Sequence, residues 1–321
     1  MISITEQELK KVAEEKGYRP EILEKVYRLL GLLEIFMAVP FLKERLVLKG
    51  GTAINLFCTQ QLPRLSLDLD FNYVGSLDRE TMRREKPEVE RIMLDLCRLQ
   101  GYELHRNSEA HAGGKMVLIY SSLLGTKGRL ELDINYLYRS PLWETQWQYS
   151  ADWPRRVGVV VLDIHELAGG KLHALLDRHA ARDLFDTHQL MTKWPLDLAK
   201  LRVGFTVYAG MRKLSWEAMS TDKIFFDVKE IRNKLIPVLK RSMIPGTRSK
   251  DIQAWGEQLV SECKIAFQGL LPFNEQEKLF LTHLEEQGEI KPEFLSSDPI
   301  LCERIKTHPL LKWRIQQSKQ R

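Results

Sequence analysis

The sequence predicts an α+β protein: a small mixed sheet with flanking helices, followed by a mostly helical C-terminal region. Three observations carry this. Apolar residues recur at helical spacing across residues 5–45, short runs between residues 46 and 162 alternate as strands do, and from Asp163 the pattern is helical nearly to the end. The division expected from this is a core with N-terminal helices over residues 1–160 and a helical region over 161–321.

The elements follow in order. Thr5 and Glu8 read as a capping box opening a first helix. Pro20 suits the start of a second, in which Ile22, Leu23, Val26, Leu29, Leu30 and Leu33 share a face. Strands are expected at 46–49 and 66–73. A helix at 87–100 places Val89, Ile92, Met93 and Leu96 together and stops at Gly101. Strands also fit 115–121 and 128–138, and the glycines between them, Gly125 and Gly128, suggest a hairpin. Val157 to Leu162 is a further apolar run. Asp163 and Glu166 read as a second capping box, Trp194-Pro195 as a helix break and Pro245-Gly246 as a turn.

Bulk composition narrows the class. A chain of 321 residues with 44% hydrophobic and 28% charged residues is ordinary for a globular protein. No apolar run reaches the roughly 20 residues of a membrane span. The N-terminus lacks the basic start and apolar core of a signal peptide, so a cytoplasmic location is expected. Cys58, Cys97, Cys263 and Cys302 lie far apart without a Cys-x-x-Cys pair, which argues for reduced thiols and against a zinc ribbon. The net charge of +5 permits a nucleic-acid partner without requiring one.

The chemistry concentrates in residues 49–71. On a strand, Ser66, Asp68 and Asp70 share one face, and Leu65, Leu67, Leu69 and Phe71 the other. Two carboxylates side by side repel unless a cation lies between them, and Mg²⁺ is held by one or two carboxylates with substrate phosphates. Upstream, Gly50-Gly51-Thr52 stands between the apolar run Leu46-Val47-Leu48 and a helical segment, where glycines let backbone N–H groups approach an anion. Alone, an Asp-x-Asp is usually a solvated strand face and a Gly-Gly a turn. Together, in this order, they suggest phosphoryl or nucleotidyl transfer. In Leu130-Glu-Leu-Asp-Ile-Asn the polar face carries Glu131, Asp133 and Asn135. Asp133 is then either a third carboxylate or part of an exposed edge strand. Lys171 sits in an otherwise apolar helix and either extends to solvent or aims its ammonium at a triphosphate. Arg182 and Asp186 are neighbours on a helix and could simply pair.

These motifs resemble a known family. Lys49-Gly-Gly-Thr-Ala with Arg64-Leu-Ser-Leu-Asp-Leu-Asp-Phe, then the Asp133 strand, the helix Leu162-Asp-Ile-His-Glu-Leu-Ala-Gly-Gly-Lys171 and Ala181-Arg-Asp-Leu-Phe-Asp186, are similar to the AbiEii/AbiGii-type nucleotidyltransferase toxins of the DNA polymerase β-like superfamily. The likeness spans about residues 20–195, with a slightly longer loop at Cys58 to Leu62. It implies a nucleotidyltransferase-like sheet. It also implies Asp68, Asp70 and Asp133 as ligands of Mg²⁺ or Mn²⁺, Gly50, Gly51, Thr52, Ser66 and Lys171 on the NTP, and Asp186 orienting Lys171 with Arg64, Arg182 and Asp183 in support. Lys171 and Asp186 would come to the site from the helical region. The implied activity transfers NMP from an NTP, releasing pyrophosphate, to an acceptor for which the tRNA 3′ end is favoured. Translation would stop, within a toxin–antitoxin or phage-defence system that supplies a cognate antitoxin. The alternatives are a protein or small-molecule hydroxyl as acceptor, or a catalytically silent relative that binds RNA or protein.

Other features have two readings each. The segment with Trp143, Trp147, Tyr149, Trp153, Arg155 and Arg156 either stacks unpaired nucleotides or packs as a loop over the sheet. Lys234, Lys240, Arg241, Arg248 and Lys250, and then Lys312, Arg314, Lys319 and Arg321, either contact phosphates or keep a helical region solvated. His165, His173, His179 and His188 lack zinc-ligand spacing and are expected to be polar surface or core residues.

Overall fold

The computed structural model describes residues 4–59, 61–110, 113–152, 154–212, 215–246 and 248–318. Met1 to Ser3, Gln60 of the loop noted above, Trp153, Lys319 and Arg321 lie outside the described residues. The chain divides into two compact units. One is Met1–Arg139 with Thr145–Leu162 and Pro237–Ile244, and the other is Ser140–Glu144 with Asp163–Ile236 and Pro245–Arg321.

The first unit is built on seven described strands: β1 (Leu46–Lys49), β2 (Asp68–Tyr73), β3 (Glu103–Ala110), β4 (Gly113–Ser121), β5 (Lys127–Asn135), β6 (Gln146–Tyr149) and β7 (Gly158–Val161). They form one mixed sheet in the order β3-β4-β5-β2-β1-β7-β6, parallel at β2/β5 and β1/β7 and antiparallel elsewhere. The alternation expected in 128–138 is present: Leu130, Leu132 and Ile134 are buried between half-exposed Glu131, Asp133 and Asn135. The strand stops at Asn135 because its Oδ1 accepts from the N–H groups of Leu137 and Tyr138, at 2.8 and 3.2 Å, which turns the chain. The helix Pro20–Ala38 covers the apolar face, with Phe36 edge-on to Phe71.

Several boundaries differ from expectation. Residues 5–45 hold helices at Glu6–Lys16, Pro20–Ala38 and Pro40–Lys43, separated by the left-handed Gly17 and by Val39, which precedes Pro40. The Thr5–Glu8 capping box is present. The helix expected at 87–100 begins at Arg79, because Asp78 caps the Thr81 N–H at 2.7 Å, and it carries Pro87 inside. Its buried residues are Met82, Val89, Met93 and Cys97, while Ile92 and Leu96 are half-buried. β3 and β6 were not expected: the first is polar throughout, and the second lies in the aromatic segment read as a loop. Residues 237–244 return to the first unit, where the Leu65 N–H donates to the Val238 carbonyl at 2.8 Å and Arg64 bridges Leu239.

The second unit is helical, with Ile164–Arg178, Ala181–Lys193, Leu198–Met211 and Ser249–Phe267 as its longer described elements. His179, in the left-handed region at φ 55°, closes the first of these, and Ala180 starts the next. The Asp163–Glu166 capping box is not formed as expected. Asp163 caps the His165 N–H at 2.9 Å, but the Glu166 carboxylate turns inward and accepts from the Leu142 N–H at 2.9 Å.

Candidate active site

Strand register assembles the acidic face of the first unit. Asp70 is the direct neighbour of Asp133 across the parallel β2/β5 pair, and Asp68 that of Glu131. Lys49 lies opposite Asp70 on β1, and Lys115 opposite Asp133 on β4. Cross-strand partners share a face, so Lys49, Asp70, Asp133 and Lys115 form one row across four strands. Burial first, then the adjacent Asp70, raises the Asp133 carboxyl above its ordinary range, while Lys49 and Lys115 pull it down. That is the behaviour of like charges held at close quarters.

The glycines are pressed against this row. Gly50 has φ 70°, and a Cβ there would collide with the Asp70 carboxylate. A Cβ on Gly51 would lie 2.9 Å from Ser66 Oγ and 3.0 Å from an Arg64 nitrogen. A helical segment runs on from Gly50 through Thr52 and continues as a wider π turn over Ala53–Phe57. The buried Thr52 donates its hydroxyl to the Asp68 carbonyl, tying the cradle to the carboxylate strand. Arg64 is buried and donates to the Leu65 carbonyl at 3.0 Å, and Ser66 is buried just before β2 rather than on it.

In the second unit the Lys171 ammonium does not extend to solvent. It contacts Asp183 at 2.8 Å and Asp186 at 3.0 Å, and all three side chains are 8% exposed or less. Asp183 also receives Arg178, at 2.5 and 3.0 Å. Burial alone would raise the Asp183 carboxyl, but Lys171 and Arg178 hold it below the ordinary range. Asp183 is therefore engaged as closely as Asp186, the acid singled out from sequence.

Comparison with known proteins decides the family. The family model described as nucleotidyl transferase AbiEii toxin, type IV toxin–antitoxin system, matches residues 31–261. The chain belongs to the AbiEii nucleotidyltransferase toxin family. Among solved structures it is similar to MenT4, a nucleotidyltransferase toxin from Mycobacterium tuberculosis H37Rv, with a TM-score of 0.64 and 18% identity over 94% of this chain and 99% of that one. No curated protein sequence matches it. As a family member the protein is an NTP-using nucleotidyltransferase of a type IV toxin–antitoxin system, and the family implies a cognate antitoxin. Among the described residues no helix is long and apolar enough to cross a membrane.

AbiEii enzymes, as nucleotidyltransferases, work with a divalent metal, and the donors here suit a hard cation. The adjacent Asp70 and Asp133 carboxylates are oxygen ligands beside a cradle that only glycine leaves open. Among the described residues no group of three or more His, Cys, Asp or Glu could hold a metal by itself. A Mg²⁺ site completed by substrate phosphates needs no such group.

Other expected features fall elsewhere. Trp147 and Tyr149 are 41% and 48% exposed on the edge strand β6, with Lys43 over the first ring and Arg156 over the second. Lys240 and Arg241, placed in the helical region from sequence, belong to the first unit. Their N–H groups donate to the carbonyls of Pro63, at 3.2 Å, and Gly17, at 2.7 Å. His173 is buried against Phe205, donates to its carbonyl at 2.7 Å, and is held neutral by burial, its pKa lowered to about 3. A cleft of about 560 Å³ lined by Arg28, Tyr102, Tyr120 and Arg155 lies on the face of the sheet opposite the carboxylates. Sequence reasoning passed over Lys49, Lys115 and Arg178. Lys49 had a signal, its place directly before Gly50. Lys115 and Arg178 had none, because their roles come from partners on other elements.

Proposed function

We propose that this AbiEii toxin transfers NMP from an NTP to the 3′ end of tRNA in a Mg²⁺-dependent reaction in the cytoplasm, blocking translation, and that its antitoxin restrains it within a phage-defence system. The observation that carries the reading is the register of Asp70 beside Asp133 with the Gly50 backbone packed on Asp70. Asp68, Asp70 and Asp133 would hold Mg²⁺, or Mn²⁺ in its place. Bound there, the cation offsets charge on the attacked phosphate and the departing pyrophosphate. Gly50 and Gly51 offer N–H groups to the phosphates beside Ser66, and Thr52 keeps that cradle fixed to β2 through Asp68. Arg64 supports it from beneath. Asp133 is placed to accept the proton of the acceptor hydroxyl, since burial and Asp70 raise its affinity for a proton. Lys171 is assigned to the triphosphate as a point charge, oriented by Asp186 and Asp183, with Arg182 in support.

The test incubates the protein with each labelled NTP, Mg²⁺ and total RNA. Label in tRNA, lost with Asp68→Ala or Asp70→Ala in folded protein, is the expected result. Label in protein, or full transfer by the double variant, overturns the reading.

A further inference from the structure

By residue type and spacing Glu131 and Asp133 are equals: two acids on one face of one strand. The β2/β5 register sharpens the problem, because it makes a two-by-two arrangement of Asp68 beside Glu131 and Asp70 beside Asp133. The structure separates them. Glu131 is held by Lys115 at 2.6 Å and by Arg129 at 2.9 Å. The Lys115 backbone stands opposite Asp133, yet its ammonium reaches along the face to Glu131. With side-chain exposures of 48% and 30%, the Lys115–Glu131 pair contributes little to stability, so its effect is on the placement of charge.

We propose that Lys115 is a positioning residue that occupies Glu131 and so leaves Asp68, Asp70 and Asp133 as the acids that take the divalent cation. This rests on the metal-dependent reading above. With Lys115 present, Glu131 is a counter-ion and not a ligand. Without it, the face loses a positive charge beside the site and regains a fourth acid.

The experiment titrates the full chain with Mn²⁺ alone, by calorimetry or electron paramagnetic resonance, with circular dichroism to confirm folding. Glu131→Gln should bind within about twofold of wild type, whereas Asp133→Asn should weaken binding by roughly tenfold or more. Lys115→Met should tighten it by roughly fivefold, through the lost like charge and the released Glu131. Lys115→Arg should behave as wild type, and Lys115→Met with Glu131→Gln should return close to it. The inference is overturned if Glu131→Gln weakens binding as much as Asp133→Asn, or if Lys115→Met leaves the affinity unchanged. Those outcomes leave the metal reading standing. Failure of wild type and every variant to bind Mn²⁺ overturns that reading and this inference together.

Discussion

Replacing Gly50 with alanine tests the cradle directly. Two effects arise from one methyl group. The backbone at φ 70° lies in the left-handed region, where an L side chain costs about 1–2 kcal/mol. The Cβ would also stand 3.1 Å from Asp70 Cγ and 3.2 Å from Asp70 Cβ, and it would overlap a carboxylate oxygen, so Asp70 must move. A displacement near 1 Å at a reacting centre lowers turnover by about 10²-fold. Gly101 provides the matched control. It has φ 80° and nothing within 4 Å of an added Cβ, so Gly101→Ala bears the backbone cost without the collision. Both variants should lose about 1–2 kcal/mol in urea denaturation, but only Gly50→Ala should lose NMP transfer and Mn²⁺ affinity. Equal activity in the two variants would refute the claim that the glycine serves Asp70.

Two further outcomes follow from the second unit. Lys171→Met removes the ammonium shared by Asp183 and Asp186 and should destabilise the protein by about 3–5 kcal/mol. Adding Asp186→Asn should restore much of that loss in denaturant unfolding, and a Lys171→Met protein as stable as wild type would contradict the buried ion pairing. Glu166 is 1% exposed, and burial raises its pKa from 4.5 to about 8. The folded state keeps the proton that the unfolded chain releases, so stability falls as pH rises from about 4.5 to about 8 and then levels off. Glu166→Gln should flatten that fall and exceed wild type by a few kcal/mol near pH 8. Parallel pH profiles of thermal unfolding for the two proteins would rule this out.

What the sequence alone determined was mostly local. The face of a strand residue follows from backbone geometry, so the grouping of Asp68 with Asp70, and of Glu131 with Asp133, could be read directly from alternation. The Thr5–Glu8 box and the stop at Gly101 were legible for the same reason, since the partners lie within one helical turn. The motif order around Gly50-Gly51 and Asp68-Leu-Asp70 also carried the family and the α+β class. β3 escaped because Glu103 to Ala110 has no apolar alternation and owes its existence to the backbone of β4. β6 escaped because its aromatic side chains remain exposed on a sheet edge. Tertiary structure decided which strands pair and in what register. It put Asp133 beside Asp70, Lys115 on Glu131 and residues 237–244 back in the first unit. It also turned the Lys171 ammonium onto two carboxylates instead of into water. Those outcomes depend on the free energy of packing segments far apart in the chain, and no local periodicity encodes which distant partner a charged side chain will meet.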